Sequence, residues 1–243
     1  LFPADHFYQV YQDRAGNNWL LTDNGLGMIR PGERQPENYF VETQGKQDGM
    51  NQAFYAVREC EDDICFTSDR GRIWCYQKKS GEFRLHELPT KARITSIHAV
   101  GNDNTVVTTD SDGFFLSNLK TNKHIHYSPV TCKELSDQPI LSAYVDRTSE
   151  VWFEQEEPGV VVHFNPATGV VKREQMRVEY SNADRSRPAF HIHEDIHGHV
   201  WVHPYGGGFS YFDRERNCLV PFYDDLGSNN WRFSNKIHAA FSD

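Results

Sequence analysis

Five histidines crowd one stretch of the sequence, His191, His193, His197, His199 and His203, with Glu194 and Asp195 among them. Imidazoles and carboxylates are the ligands of zinc and related ions, and His191 and His193 would share one face of an extended strand. His197 and His199, however, fall on positions that a repeat elsewhere fills with Ala15 and Asn17. That favours exposed turn and strand-end histidines, open to a pH-sensitive or ligand contact, over a metal centre. No metal ligand and no cofactor is assigned. Acidic residues cluster at Glu59, Glu61, Asp62 and Asp63 and again at Glu154, Glu156 and Glu157. Such runs read as solvated faces, and a glycosidase needs two carboxylates set across a cleft. The sequence has no G-x-S-x-G elbow and no H-E-x-x-H pair. No catalytic residue is assigned.

Recognition chemistry is easier to find. Sugars are held by an aromatic face with planar polar groups beside it, and arginine pairs with carboxylates and sulfates through its guanidinium fork. Trp231 and Arg232 supply both in adjacent positions; Tyr205, ahead of Gly206-Gly207-Gly208, and Arg70 are weaker candidates. The formal net charge of −9 argues against a nucleic-acid partner, which needs a basic face. No apolar run reaches the 18 residues of a membrane span.

The elements that must position these residues are set by an internal repeat. Asp13-Arg-Ala-Gly16-Asn-Asn-Trp19 returns as Asp146-Arg-Thr-Ser-Glu-Val-Trp152 and as Asp195-Ile-His-Gly198-His-Val-Trp201, each tryptophan six residues after its aspartate. Degenerate copies around Cys65 and Val106 fill the gap, giving steps of 46, 41, 46 and 49 residues. Steps of about 40–50 residues match the four-stranded blades of β-propellers. In each copy a first strand (Tyr8 to Gln12, Ile94 to Val100, Ser142 to Val145, Phe190 to Glu194) enters a polar turn, Asp-x-x-Gly in its clearest form. The second strand is continuously apolar, as in Val151-Trp152-Phe153, the mark of burial on both faces. A glycine turn, a third strand and a short outer strand complete the unit.

The expected fold is therefore all-β, a propeller of four-stranded antiparallel blades near 7–50, 51–92, 93–138, 139–185 and 186–235. Residues 236–243 have the form of another first strand, so a chain of about five blades is expected to be part of a larger propeller. Five cysteines leave at least one free or paired between chains. Cys65 and Cys75 flank a predicted hairpin, which leaves open either a disulfide or two packed thiols.

The first copy, read as Asp13-x-x-Gly16-Asn17-x-Trp19-Leu20-Leu21-Thr22-x-x-Gly25-Leu26, resembles the two-component regulator propeller repeat. The resemblance covers nearly the whole chain, although Cys65 and Val106 stand where the repeat has tryptophan. It implies the periplasmic sensor region of a hybrid two-component histidine kinase from a glycan-degrading Gram-negative bacterium. Such proteins carry two seven-bladed propellers, an immunoglobulin-like domain, a membrane helix, a histidine kinase and a response regulator. The ligand implied is an oligosaccharide from glycan breakdown, the ectodomain is implied to be a homodimer, and this chain is expected to bind rather than catalyse. A propeller lyase or hydrolase acting on polysaccharide, and a protein-binding scaffold, are the alternatives. The matching motif positions are structural, so the resemblance transfers no ligand residue. In a propeller, loops from second to third strands and from blade to blade share one rim. That rim is expected to gather Asp23, Asn24, Asp69, Arg70, Pro204 and Tyr205 with Asn229, Asn230, Trp231 and Arg232. The other role open to Trp231 is to cover the core edge between blades.

Overall fold

The computed structural model describes residues 4–40, 52–60, 62–101, 103–157, 159–175, 192–202 and 210–221. These form five antiparallel four-stranded sheets, with no helix among them. The first blade is β1 (Phe7–Gln12), β2 (Asn18–Thr22), β3 (Gly25–Ile29) and β4 (Glu37–Tyr39). The second is β5 (Phe54–Glu59), β6 (Asp63–Ser68), β7 (Arg72–Gln77) and β8 (Phe83–Glu87). The third is β9 (Ile94–Val100), β10 (Asn104–Thr109), β11 (Phe114–Asn118) and β12 (Lys123–Tyr127). The fourth is β13 (Ile140–Val145), β14 (Val151–Gln155), β15 (Val160–Asn165) and β16 (Val170–Gln175). The fifth is β17 (Ile192–Glu194), β18 (Val200–Val202), β19 (Ser210–Asp213) and β20 (Cys218–Pro221). In every sheet the strands neighbour one another in chain order, the up-and-down blade of a propeller. Residues 236–243 lie outside the described residues.

Two compact units divide the chain, residues Leu1–Ile97 with Asn118–His124, and His98–Ser117 with Ile125–Asp243. In the first, Trp19, Leu21, Leu26 and Met28 pack against Phe54, Ile64 and Phe66, with the Trp19 ring 4.9 Å from Phe66 and 5.0 Å from Tyr76. In the second, one core joins Phe114 to Phe153 and Phe164, and another joins Trp152 and Val161 to Val200, Val202 and Phe212. These cores form between consecutive blades, so the second strand of a blade is buried on both sides; all five residues of β14 are.

The hairpin opening each clear repeat explains the six-residue spacing. The Asp13 N–H donates to Asn17 O and the Gly16 N–H to Asp13 O, with Gly16 at φ 86°. This is the three-residue loop that needs a left-handed residue at its third position. The pattern repeats at Asp146 and Asp195, where Ser149 (φ 66°) and Gly198 (φ 89°) take the glycine place. One Asp13 oxygen accepts from the N–H groups of Ala15 and Asn17, and the other from the Trp19 indole at 2.9 Å. Trp152 and Trp201 donate to Asp146 and Asp195 in the same way, each at 2.8 Å. The aspartate thus closes its turn and anchors the tryptophan of the next strand.

In the second blade Cys65 occupies the tryptophan position and pairs with Cys75 directly across the ladder, and the two form a disulfide. The sequence left that bond open. Cys60, Cys132 and Cys218 are free thiols. Two of the acidic residues expected on solvated faces are buried instead. Glu59, its side chain 4% exposed, accepts from the Tyr11 hydroxyl, the Arg14 N–H and the Lys78 ammonium. It ends β5, where Tyr11 and Arg14 of the preceding blade meet Lys78 of its own. Burial raises its pKa, but those hydrogen bonds outweigh burial and hold it below the usual glutamate value; burial and Glu59 together push the Tyr11 phenol up to about 12. Glu154 is likewise buried and accepts from the Ser142 hydroxyl. Asp62, paired with Lys79 at the surface, fits the solvated reading.

Candidate functional site

Equivalent irregularities in two consecutive first strands bring a pair of tyrosines together. The register slips between Phe7 and Gln9 in β1 and between Phe54 and Ala56 in β5, so Tyr8 and Tyr55 are each the extra residue of a bulge. A bulge breaks the alternation of the pleat and re-aims its side chain. The two rings lie 4.9 Å apart, tilted by 53°, with Tyr8 about half exposed. The Tyr55 hydroxyl donates to the Asp69 carboxylate at 3.1 Å, and the Arg93 guanidinium stands 5.2 Å from the centre of the Tyr55 ring. Burial first, then Asp69, raises the Tyr55 phenol well above the ordinary tyrosine range, so it remains a donor at neutral pH.

Beside this pair runs the β6–β7 turn, Asp69-Arg70-Gly71. Arg70 (φ 58°) and Gly71 (φ 67°) are both left-handed, and the Arg72 N–H donates to Asp69 O at 3.4 Å. Two positive φ angles in succession are the signature of the I′ hairpin turn, whose preferred residues are Asn-Gly. A Cβ at Gly71 would come within 2.9 Å of the Leu88 and Thr90 carbonyl oxygens, so only glycine fits there. Arg70 holds the other left-handed position despite a Cβ penalty of roughly 1–2 kcal/mol. It is exposed, and among the described residues its guanidinium has no hydrogen-bond or ion-pair partner.

The β2–β3 turn is tied to the same edge of the first unit. The His6 N–H donates to the Asp23 carboxylate at 3.2 Å and the Asp23 N–H to His6 O at 3.1 Å. The Gly25 N–H donates to the backbone oxygen of Gln52, whose side-chain amide donates to Ser68 Oγ at 2.5 Å. Gln52 is buried, and its side-chain oxygen has no hydrogen-bond partner among the described residues. Buried acceptors are ordinarily filled by water or ligand.

Of the residues expected on one rim, Asp23, Asn24, Asp69 and Arg70 therefore stand on two turns linked through Gln52. Tyr205, Trp231 and Arg232, with Pro204, Asn229 and Asn230, lie outside the described residues. Tyr8, Tyr55 and Arg93 were not singled out from the sequence. The signal for the tyrosines was present, because both precede their blade's Tyr11 or Arg58 position by three residues and so share one repeat register.

The histidine cluster reads differently. His197 and His199 donate their N–H groups to Asp195, and the His199 ring lies 3.0 Å from that carboxylate, the place Asn17 takes beside Asp13. His191 and His203 lie outside the described residues. Among the described residues no three histidine, cysteine, aspartate or glutamate side chains converge as a metal site. The most enclosed histidine among the described residues, His163, stacks on Trp152 at 4.5 Å, with its ring nitrogens 2.6 Å from Glu150 and 3.4 Å from Glu174. It is a core residue, 1% exposed, out of reach of a ligand.

No family model matches the sequence, and no curated protein matches it. Solved structures do match. The extracellular domain assigned to hybrid two-component system BT3049 of B. thetaiotaomicron aligns with 89% of this chain at a TM-score of 0.65 and 19% identity. A second such domain, BT4673 of the same organism, aligns with 93% at 0.53 and 15% identity. The chain spans 30% and 37% of the length of these two domains. Inactive virginiamycin B lyase of Staphylococcus aureus, solved with quinupristin, aligns with 93% of this chain and 73% of its own at 0.67 and 14% identity. Five consecutive four-stranded blades and these likenesses give the fold: the chain is a β-propeller, similar in architecture to the extracellular domains of hybrid two-component systems.

Proposed function

We propose that this chain is the ligand-binding part of a hybrid two-component sensor, that it recognises an oligosaccharide in the periplasm, and that the whole protein passes the signal as a homodimer to a cytoplasmic histidine kinase. The observation that carries the reading is the edge of the first unit, where half-exposed Tyr8 stands near the more covered Tyr55, beside the Asp69 carboxylate and an arginine, Arg70, that has no partner among the described residues. Aromatic rings serve the apolar face of a sugar, while fixed planar polar groups read its hydroxyls. Likeness to two sensor domains supports the same role. The Cys65–Cys75 disulfide supports an oxidising, extracytoplasmic location. No helix among the described residues is long and apolar enough to cross a membrane.

The test is titration calorimetry with a panel of oligosaccharides against wild type, Tyr55→Ala and Trp231→Ala. Micromolar binding that weakens in Tyr55→Ala supports the assignment; no binding by wild type to any member removes it. Likeness to the lyase favours a second reading, a propeller enzyme. Product formation from polysaccharide by the purified chain would establish that reading in place of the first.

A further inference from the structure

We propose that the edge formed by Tyr8, Tyr55 and Arg70 selects an anionic oligosaccharide, one bearing a carboxylate or sulfate, and that Arg70 is the residue that reads the charge. The inference rests on the glycan-binding reading above. Arg70 is wrong for its turn. The two left-handed positions of an I′ hairpin are served best by Asn-Gly, and here the first is arginine. Nothing in the described fold compensates, because the guanidinium makes no hydrogen bond or ion pair there and is exposed. The side chain therefore contributes nothing to the turn that carries it, while the turn fixes where it points from.

With a net charge of −9 the chain repels anions in general, so an acidic sugar needs a local cation to approach. Arg70 supplies a planar fork suited to carboxylate or sulfate. Arg93, lying over the Tyr55 ring, adds a second positive group to the same edge. The Tyr55 hydroxyl is already engaged by Asp69. What the tyrosine pair offers a ligand is thus ring face, chiefly on exposed Tyr8. A neutral oligosaccharide uses the rings alone; an acidic one uses the rings and the arginine.

The experiment compares neutral, uronate-containing and sulfated oligosaccharides of matched length on wild type, Arg70→Lys and Arg70→Asn, with melting temperatures measured alongside. Wild type is expected to bind an acidic ligand about tenfold more tightly than its neutral counterpart, the worth of one charge-assisted pair. That advantage should shrink as salt is raised from about 0.05 to 0.5 M. Arg70→Lys should keep part of it. Arg70→Asn should abolish it while raising the melting temperature by about 2–4 °C, because asparagine suits the turn. Whether uronate or sulfate binds more tightly identifies the source of the charge. Equal affinity of wild type for neutral and acidic ligands overturns the inference and leaves the glycan reading intact. Loss of melting temperature in Arg70→Asn also overturns it, since the arginine would then serve the fold. Absence of all oligosaccharide binding removes both.

Discussion

Asp13, Asp146 and Asp195 each engage both carboxylate oxygens, one with the turn and one with a tryptophan. Asp146 carries an additional load, accepting from Arg214 of the fifth blade at 2.8 Å. Burial alone would raise these pKa values, but the hydrogen bonds to tryptophan, turn N–H and side-chain donors outweigh it and hold all three below the ordinary aspartate value of 3.8. A depressed carboxylate pKa stabilises the fold fully above the unfolded value and is lost as pH falls through the folded one. The melting temperature is therefore expected to be steady above about pH 5 and to decline progressively below about pH 4, with a shallower decline in Asp146→Asn. Asp146→Ala, which strands the Trp152 N–H and the Arg214 guanidinium, should cost about 2–4 kcal/mol in urea unfolding. Asp62→Asn, at an exposed pair, should leave the melting temperature unchanged. The residue scale is also where the sequence was least informative. The aspartate was legible as a turn former, but its hold on the tryptophan became visible only when both oxygens had partners.

At the scale of the element, spacing did most of the work. Asp-to-Trp intervals, turn glycines and apolar second strands were enough to lay out four-stranded blades, because each of those signals is local to one hairpin. Glu59, Tyr8 and Tyr55 were not legible in the same way. Tyr8 and Tyr55 do share a repeat register, but their pairing, like the role of Glu59, depends on bulges and on a neighbouring blade some 45 residues away in the chain, and a register alone does not reveal a non-local partner. The second blade shows both sides of this. It lacks the Asp–Trp anchor, and at the equivalent point of its ladder it carries the Cys65–Cys75 cross-link, buried at 2% exposure on both residues. A disulfide closing a sequence separation of 10 residues should stabilise by about 2–3 kcal/mol. Cys65→Ala/Cys75→Ala, or reduction under partly denaturing conditions, is expected to lower the urea midpoint accordingly, read by tryptophan fluorescence. An unchanged midpoint would assign the blade's stability to packing alone.

On the scale of the whole molecule the sensor reading makes a genetic prediction as well as a biochemical one. The full-length reading frame should encode a membrane helix and a histidine kinase after the propeller, and its absence would end the reading. Of the candidate site, the turns bearing Asp23, Asp69 and Arg70 were legible because topology alone assigns them to one edge. Trp231→Ala is the companion test for the residue that the sequence expects on the same rim and that lies outside the described residues: weakened oligosaccharide binding would add it to the site, and unchanged affinity would remove it. Glu59 receives the Arg14 N–H, and Glu194 receives the Arg147 N–H and forms an ion pair with its guanidinium. In both cases the donor on the preceding blade includes a main-chain group that any residue but proline would provide. For this one hydrogen bond, a blade duplicated or exchanged during descent needs to bring only its own acidic residue, while the apolar faces packed between blades must still fit. The polar part of each such junction asks for no matched pair of mutations, so the constraint on exchanging blades falls on the apolar packing between them.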